Sequence, residues 1–205
     1  MLRLLGEYRG KQELFYQRAP ETLNSLKLLA KVRSSESSNR LEGIEADHET
    51  IREIVLNEQE PITRSEQEIA GYRNALNLIH ESNKEIPFTP NHILQLHKML
   101  CEYTPNPGGD WKITNNEILE THPDGKQRTR FVPTAAHLTT IAMETLTKEY
   151  QEAIKKNYDP LIVVPLTIFN FLCIHPFSDG NGRLSRLLTL LLLYHFDYKL
   201  VAILV

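Results

Sequence analysis

The chain has 205 residues, of which 41% are hydrophobic and 24% charged, with 23 basic against 26 acidic side chains and a formal charge of −3. That length suits one domain with a substantial core, and the acid excess excludes a general nucleic-acid-binding surface. Cys101 and Cys173 form no CxxC pair, charge enters the N-terminus too early for a secretory leader, and the longest apolar run, about ten residues from 187, is roughly half a bilayer span. The expectation is a cytoplasmic protein with free, buried thiols and no membrane role.

Taken in chain order, residues 21–32 place apolar side chains at helical spacing, and the serine-rich stretch 34–38 reads as an interruption. Residues 39–53 read as a short charged helix with Leu41, Ile44 and Ile51 on one face. Ser65 and Glu68 have the spacing of a capping box before Ile69, Tyr72, Leu76 and Ile79. Thr89-Pro90 opens another helix, through Ile93, Leu96 and Leu100. Pro105, Pro107, Gly108 and Gly109 then end the helical pattern, and residues 111–119 and 128–132 read as a β-hairpin turning at 122–125. Helical spacing returns at about 134–156. Residues 160–174 are almost wholly apolar and predict a buried helix, and a last helix runs from near Asn181 to about 196. The fold class is mainly α, with residues 1–60 as an N-terminal helical segment and 61–205 as the core. The apolar tail 200–205 would be sticky if exposed, so it is expected to be buried, to pair with another chain in a homodimer, or to continue into sequence beyond residue 205.

Residues 175–186, HPFSDGNGRLSR, concentrate chemistry. Pro176 turns the chain between two apolar helices, so Gly180, Asn181 and Gly182 lie at a helix N-terminus, where unpaired N–H groups and the helix dipole favour anions. Glycine lets the backbone approach an anion closely. Arg183 and Arg186 are three residues apart on one helical face and can fork onto the same anion. Asp179 places a hard oxygen ligand for Mg²⁺ beside them, and His175 supplies a base near neutral pH. Each residue alone reads as a capped helix with surface charges; together they read as a phosphate-handling site.

This stretch resembles the HPFx(D/E)GNGRxxR signature of Fic-domain proteins at every defined position, and the likeness extends over roughly residues 35–196. The resemblance implies a Fic fold, a helical bundle with a β-hairpin flap over the active site, and transfer of AMP from ATP to a hydroxyl side chain of a target protein. It implies His175 as the base, Phe177 as the loop's anchor in the core, and Asp179 as the Mg²⁺ ligand. Gly180, Asn181 and Gly182 would cradle the phosphates, with the Asn181 side chain near the α-phosphate. Arg183 would face the leaving pyrophosphate and Arg186 the γ-phosphate. The flap, with Trp111, Ile113, Ile118 and Phe131 as its apolar contacts, would line up the target by strand addition.

Ser38, Glu42 and Gly43 resemble the family's inhibitory motif, (S/T)xxxE(G/N), on a helix expected at about 36–47. By that likeness Glu42 pairs with Arg186 where the γ-phosphate would lie, a sound substitution because carboxylate and phosphate both suit an arginine fork. Auto-AMPylation of the protein itself is a further expectation. Rival readings are transfer of phosphate, UMP or phosphocholine, removal of AMP from a modified target, and a catalytically silent ATP-binding module. The intact His175 and Asp179 speak against the last, because binding alone needs neither. Cys173 reads as core rather than as a nucleophile, and His92 and His97 are wrongly spaced for a helical metal pair.

Overall fold

The computed structural model describes residues 20–122 and 125–198. The apolar tail 200–205 lies outside the described residues. Seven helices occur among those described: α1 (Pro20–Arg40), α2 (His48–Asn57), α3 (Arg64–Ser82), α4 (Pro90–Leu100), α5 (Thr139–Lys155), α6 (Pro160–Ile174) and α7 (Asn181–His195). A two-stranded antiparallel sheet, β1 (Ile118–Thr121) with β2 (Gln127–Phe131), is inserted between α4 and α5. The chain is therefore mainly α with a small hairpin, as its sequence indicates.

Two apolar clusters organise the helices. The larger joins α3 to α7 around Tyr72, Leu76, Phe88, Leu100, Phe171 and Leu188, all at most 2% exposed. The smaller fixes α1 and α2 on α3 through Val32, Ile51, Ile54, Val55, Ile69 and Ala70. Together they seat the C-terminal end of α1 beside the N-terminal half of α7.

The serine stretch does not interrupt α1. Ser34, Ser35, Ser38 and Asn39 are buried inside the continuous 21-residue helix. Their small polar side chains permit close packing and are only partly satisfied: Ser34 Oγ meets the Tyr72 hydroxyl at 3.3 Å and Asn39 Nδ2 donates to the Ser35 carbonyl at 2.7 Å, while Ser35 Oγ and Asn39 Oδ1 have no partner among the described residues. Tertiary packing here overrides weak helix propensity. Residues 39–53 are likewise not one helix. Leu41 is 72% exposed whereas Ile51 is buried, because a turn and an extended segment separate α1 from α2.

The cap of α3 lies two residues earlier than the sequence suggests. Thr63 Oγ1 accepts from Glu66 N, and Glu66 reaches back to Ile62 N at 2.8 Å. Glu68 is thereby released from capping and points inward, 5% exposed. Thr89 and Pro90 begin α4 as expected. The hairpin is shorter than residues 111–119 with 128–132: only Ile118 and its successors pair with β2, and register slips between Ile118 and Leu119. Nor is α6 buried all round. Ile162, Leu166 and Phe169 are 50%, 57% and 62% exposed, one per turn on the face away from α5 and α7.

Candidate active site

The left-handed backbone of His175 (φ 50°, ψ 62°) ends α6 and swings the chain into the loop before α7. Such a conformation is sparsely populated for a residue with a side chain and persists only when its surroundings hold it. Phe177 supplies much of that hold. It is fully buried, stacks on the His97 ring at 3.6 Å between centroids, and meets Trp111 at 5.1 Å. Trp111 is thus a half-buried support of the loop, not an exposed contact of the hairpin. Ile113 is 92% exposed but precedes the strands; Ile118 begins β1 half-buried and Phe131 ends β2 39% exposed.

Gly180 (φ 77°) is the N-cap of α7 and contributes no side-chain bond to the first N–H groups of the helix. The Asn181 side chain clasps the loop: its Oδ1 accepts from Phe177 N at 3.0 Å and its Nδ2 donates to the Phe177 carbonyl at 2.8 Å. That commits the oxygen and one of the two amide hydrogens.

The two arginines are held differently. Arg183 is 3% exposed, its Nη1 lies 2.7 Å from Glu68 Oε2, and its Nη2 lies 3.5 Å from Asp179 Oδ2. The close Glu68 contact is off the hydrogen-bond line, so Nη1 and Nε remain buried without an aligned acceptor. Arg186 is half-buried: Nε donates to Ser38 Oγ at 2.7 Å, and Nη2 to the Ser38 carbonyl and Glu42 Oε1, each at 2.8 Å.

Glu42 is placed by the end of α1. Ile44 N donates to the Asn39 carbonyl and Gly43 N to the Arg40 carbonyl, with Gly43 at φ 73°. This is a Schellman cap with Glu42 at the C-cap and glycine in the left-handed position behind it. A carboxylate at a helix C-terminus opposes the dipole, so its partner must come from elsewhere. That partner is Arg186, and the carboxylate also overlies the start of α7: a methyl group added to Gly182 would collide with it.

His175 is half-buried, and its Nδ1 makes no well-formed hydrogen bond although the Leu172 carbonyl faces it. Burial is the main cause holding its pKa below the ordinary histidine value; Lys112 adds to this, while Glu42 and Asp179 oppose it. These contacts bias the imidazole toward its neutral form. A cavity of about 240 Å³ opens beside Arg183 and Asp179, bounded also by Arg64, Glu68, His97 and Thr104.

Residues 87–193 match the model of the Fic/DOC family, more than half of the chain. The chain belongs to the Fic/DOC family. Members generally transfer AMP or another nucleotide-linked group onto proteins. The fold agrees with solved relatives. A Fic-domain-containing signalling protein from Bacteroides thetaiotaomicron shares 23% identity at a TM-score of 0.80, over 96% of this chain and 73% of that one. A Fic family protein from Desulfovibrio desulfuricans shares 19% at 0.73, over 99% of this chain and 60% of that one. Fic-1 from C. elegans shares 19% at 0.74, over 97% of this chain and 57% of that one. The Fic chain described here thus spans 57–73% of these relatives. None of its described helices is long and apolar enough to cross a membrane.

Three side chains of this Fic site were not legible as such in the sequence: Glu68, Lys112 and His97. His97 Nδ1 accepts from Gly109 N at 3.0 Å, so Nε2 carries the proton and donates to the Asp179 carbonyl at 3.1 Å. Desolvation lowers the His97 pKa to about 4, and His80 falls to about 4 for the same first cause. Between pH 6.5 and 4 the unfolded chain therefore binds protons that the native state refuses. Stability is full above the unfolded pKa and falls as pH drops through this window, by about 3 kcal/mol per histidine at its lower end. Urea melts at pH 7 and pH 5 should show the loss, and His97→Gln should flatten the slope.

Proposed function

We propose that this chain is a Mg²⁺-dependent protein adenylyltransferase held in check by its own Glu42. The observation that carries the reading is the Glu42 carboxylate itself, which Arg186 holds over the start of α7, where a γ-phosphate would lie. With Glu42 displaced, the same groups would receive the γ-phosphate of ATP. The unaligned donors of buried Arg183, beside the adjoining cavity, fit a second phosphate.

In the transfer, the target hydroxyl oxygen attacks the α-phosphorus while the bond to the β-phosphate breaks and pyrophosphate leaves. His175 accepts the hydroxyl proton. Arg183 and the α7 main chain take up the charge that grows on the leaving group. Asp179 is 77% exposed and supplies one hard carboxylate, and no cluster of three ligating side chains occurs among the described residues. That suits Mg²⁺, which is commonly held by one or two carboxylates and substrate phosphates and which neutralises phosphate charge when bound. The hairpin edge, with Leu119 and Phe131 exposed beside Val132, fits an extended target segment added as a strand.

A second reading, removal of AMP from a modified target, draws on the same Glu42, whose charge bears on His175 and could position a water. Intact mass spectrometry after incubation with ATP and MgCl₂ tests the first reading, with adenylate gained by Glu42→Gly and by no variant lacking His175. An ATP-binding Glu42→Gly protein that gains no mass, alone or with candidate targets, would sink it. Release of AMP from a pre-modified protein would instead support the second. The target, a cytoplasmic setting and a homodimer belong to the same proposal, and light scattering tests the last.

A further inference from the structure

Lys112 stands on both sides of His175 at once. Its main-chain N–H donates to the Pro176 carbonyl at 2.8 Å, and its ammonium donates to the Ile174 carbonyl at 3.1 Å. These carbonyls flank the one residue between them, the left-handed His175. The same ammonium donates to Asn116 Oδ1 at 2.7 Å, and Asn116 Nδ2 donates to the Phe177 carbonyl at 3.1 Å. Asn116 lies two residues before β1, so one network joins the root of the hairpin to residues 174, 176 and 177. Lys112 is 5% exposed, an unusual place for an ammonium and one that only such donors' partners make tolerable.

We infer that Lys112 is the positioning residue of this site, a two-sided clamp that holds His175 in its strained conformation and couples it, through Asn116, to the hairpin that would receive the target. The inference rests on the transferase reading only for its rate measurement. The clamp also has an electrostatic consequence. Lys112 is the cation that bears on His175, while Glu42 from the turn after α1 and Asp179 from the loop bear on it as anions. A target strand docking on the hairpin would press on the same network, so that engagement of substrate and alignment of the base become one event.

The experiment joins NMR titration of the His175 C2 proton, assigned with His175→Ala, to turnover in the Glu42→Gly background. Lys112→Met is expected to raise the His175 pKa and to move the acid limb of the kcat profile upward with it. It is expected to lower kcat by about tenfold or more while the KM for ATP changes by less than about twofold. Lys112→Arg keeps the charge and the main-chain bond and should hold the pKa near wild type. A folded Lys112→Met protein with unchanged titration and unchanged kcat overturns the inference, as does a loss of ATP affinity that accounts for the whole defect. If circular dichroism shows Lys112→Met unfolded, Asn116→Ala decides, because it leaves the lysine charge in place. A kcat loss of about threefold or more at unchanged KM supports the coupling, and an unchanged kcat overturns it. The titration needs no turnover, so it judges Lys112 even if Glu42→Gly transfers nothing and the transferase reading fails.

Discussion

Replacing Glu42 with glycine is expected to raise AMP incorporation by about 5- to 150-fold, the range set by a coupling of 1–3 kcal/mol between two sites. The argument is one of exclusion. Arg186 holds Glu42 at 2.8 Å, and a phosphate there would stand against a like charge. Glycine removes the competitor and leaves Ser38 accepting from Arg186 as before. The fold should tolerate the change. Glu42 is 38% exposed on its side chain, and an exposed ion pair contributes about 1 kcal/mol or less. Its loss is further offset because a carboxylate at the C-terminus of α1 opposes the helix dipole. High salt should narrow the gap between the two proteins, since it weakens the half-exposed pair in the wild type. Adding His175→Ala to Glu42→Gly should lower the rate by about 10² to 10⁴, the contribution of a positioned base. Labelled ATP followed by gel or mass measurement reads both. Equal labelling of wild type and Glu42→Gly would show that Glu42 controls nothing.

The second large effect is on stability. Glu68→Ala should destabilise the protein by about 3–5 kcal/mol, because it strands Arg183 as a buried, uncompensated cation. The two side chains are 6% and 4% exposed, and no described group but Asp179, at 3.5 Å, forms a second ion pair with Arg183. Arg64 also loses its partner, but it is 82% exposed and matters little. A loss of this size is a large fraction of a typical domain's 5–15 kcal/mol. Glu68→Gln keeps an acceptor of the same shape and should lose less. Urea midpoints for the three proteins order the effect, and a Glu68→Ala midpoint equal to wild type would mean that Asp179 or solvent already satisfies the arginine.

These two carboxylates show how differently the sequence speaks of one site. Glu42 is legible through the likeness of Ser38, Glu42 and Gly43 to the family's inhibitory motif, and the Schellman cap and the Arg186 network give that spacing its geometry. The spacing of Ser65 and Glu68 predicts a helix cap, but α3 begins two residues earlier. Thr63 takes that role, and the freed carboxylate turns to the core. His97 was weighed only as a metal ligand by spacing, whereas its work is to stack on Phe177 and bond the Asp179 carbonyl across 82 residues.

Local chemistry alone indicates that the chain is mainly helical, that Thr89-Pro90 begins a helix, and that residues 175–186 join the end of one helix to the start of the next. Those signals act within a turn or two, through backbone sterics, caps and periodicity, so a linear reading captures them. Tertiary structure decided the rest. It made Ser34, Ser35 and Ser38 part of a buried helical face, left Ile162, Leu166 and Phe169 uncovered on α6, and brought Glu42 to Arg186 over 144 residues. It also closed Lys112 around His175. The physical reason is that a buried polar group is satisfied only where the chain returns to meet it, and that return is set by how the apolar faces pack.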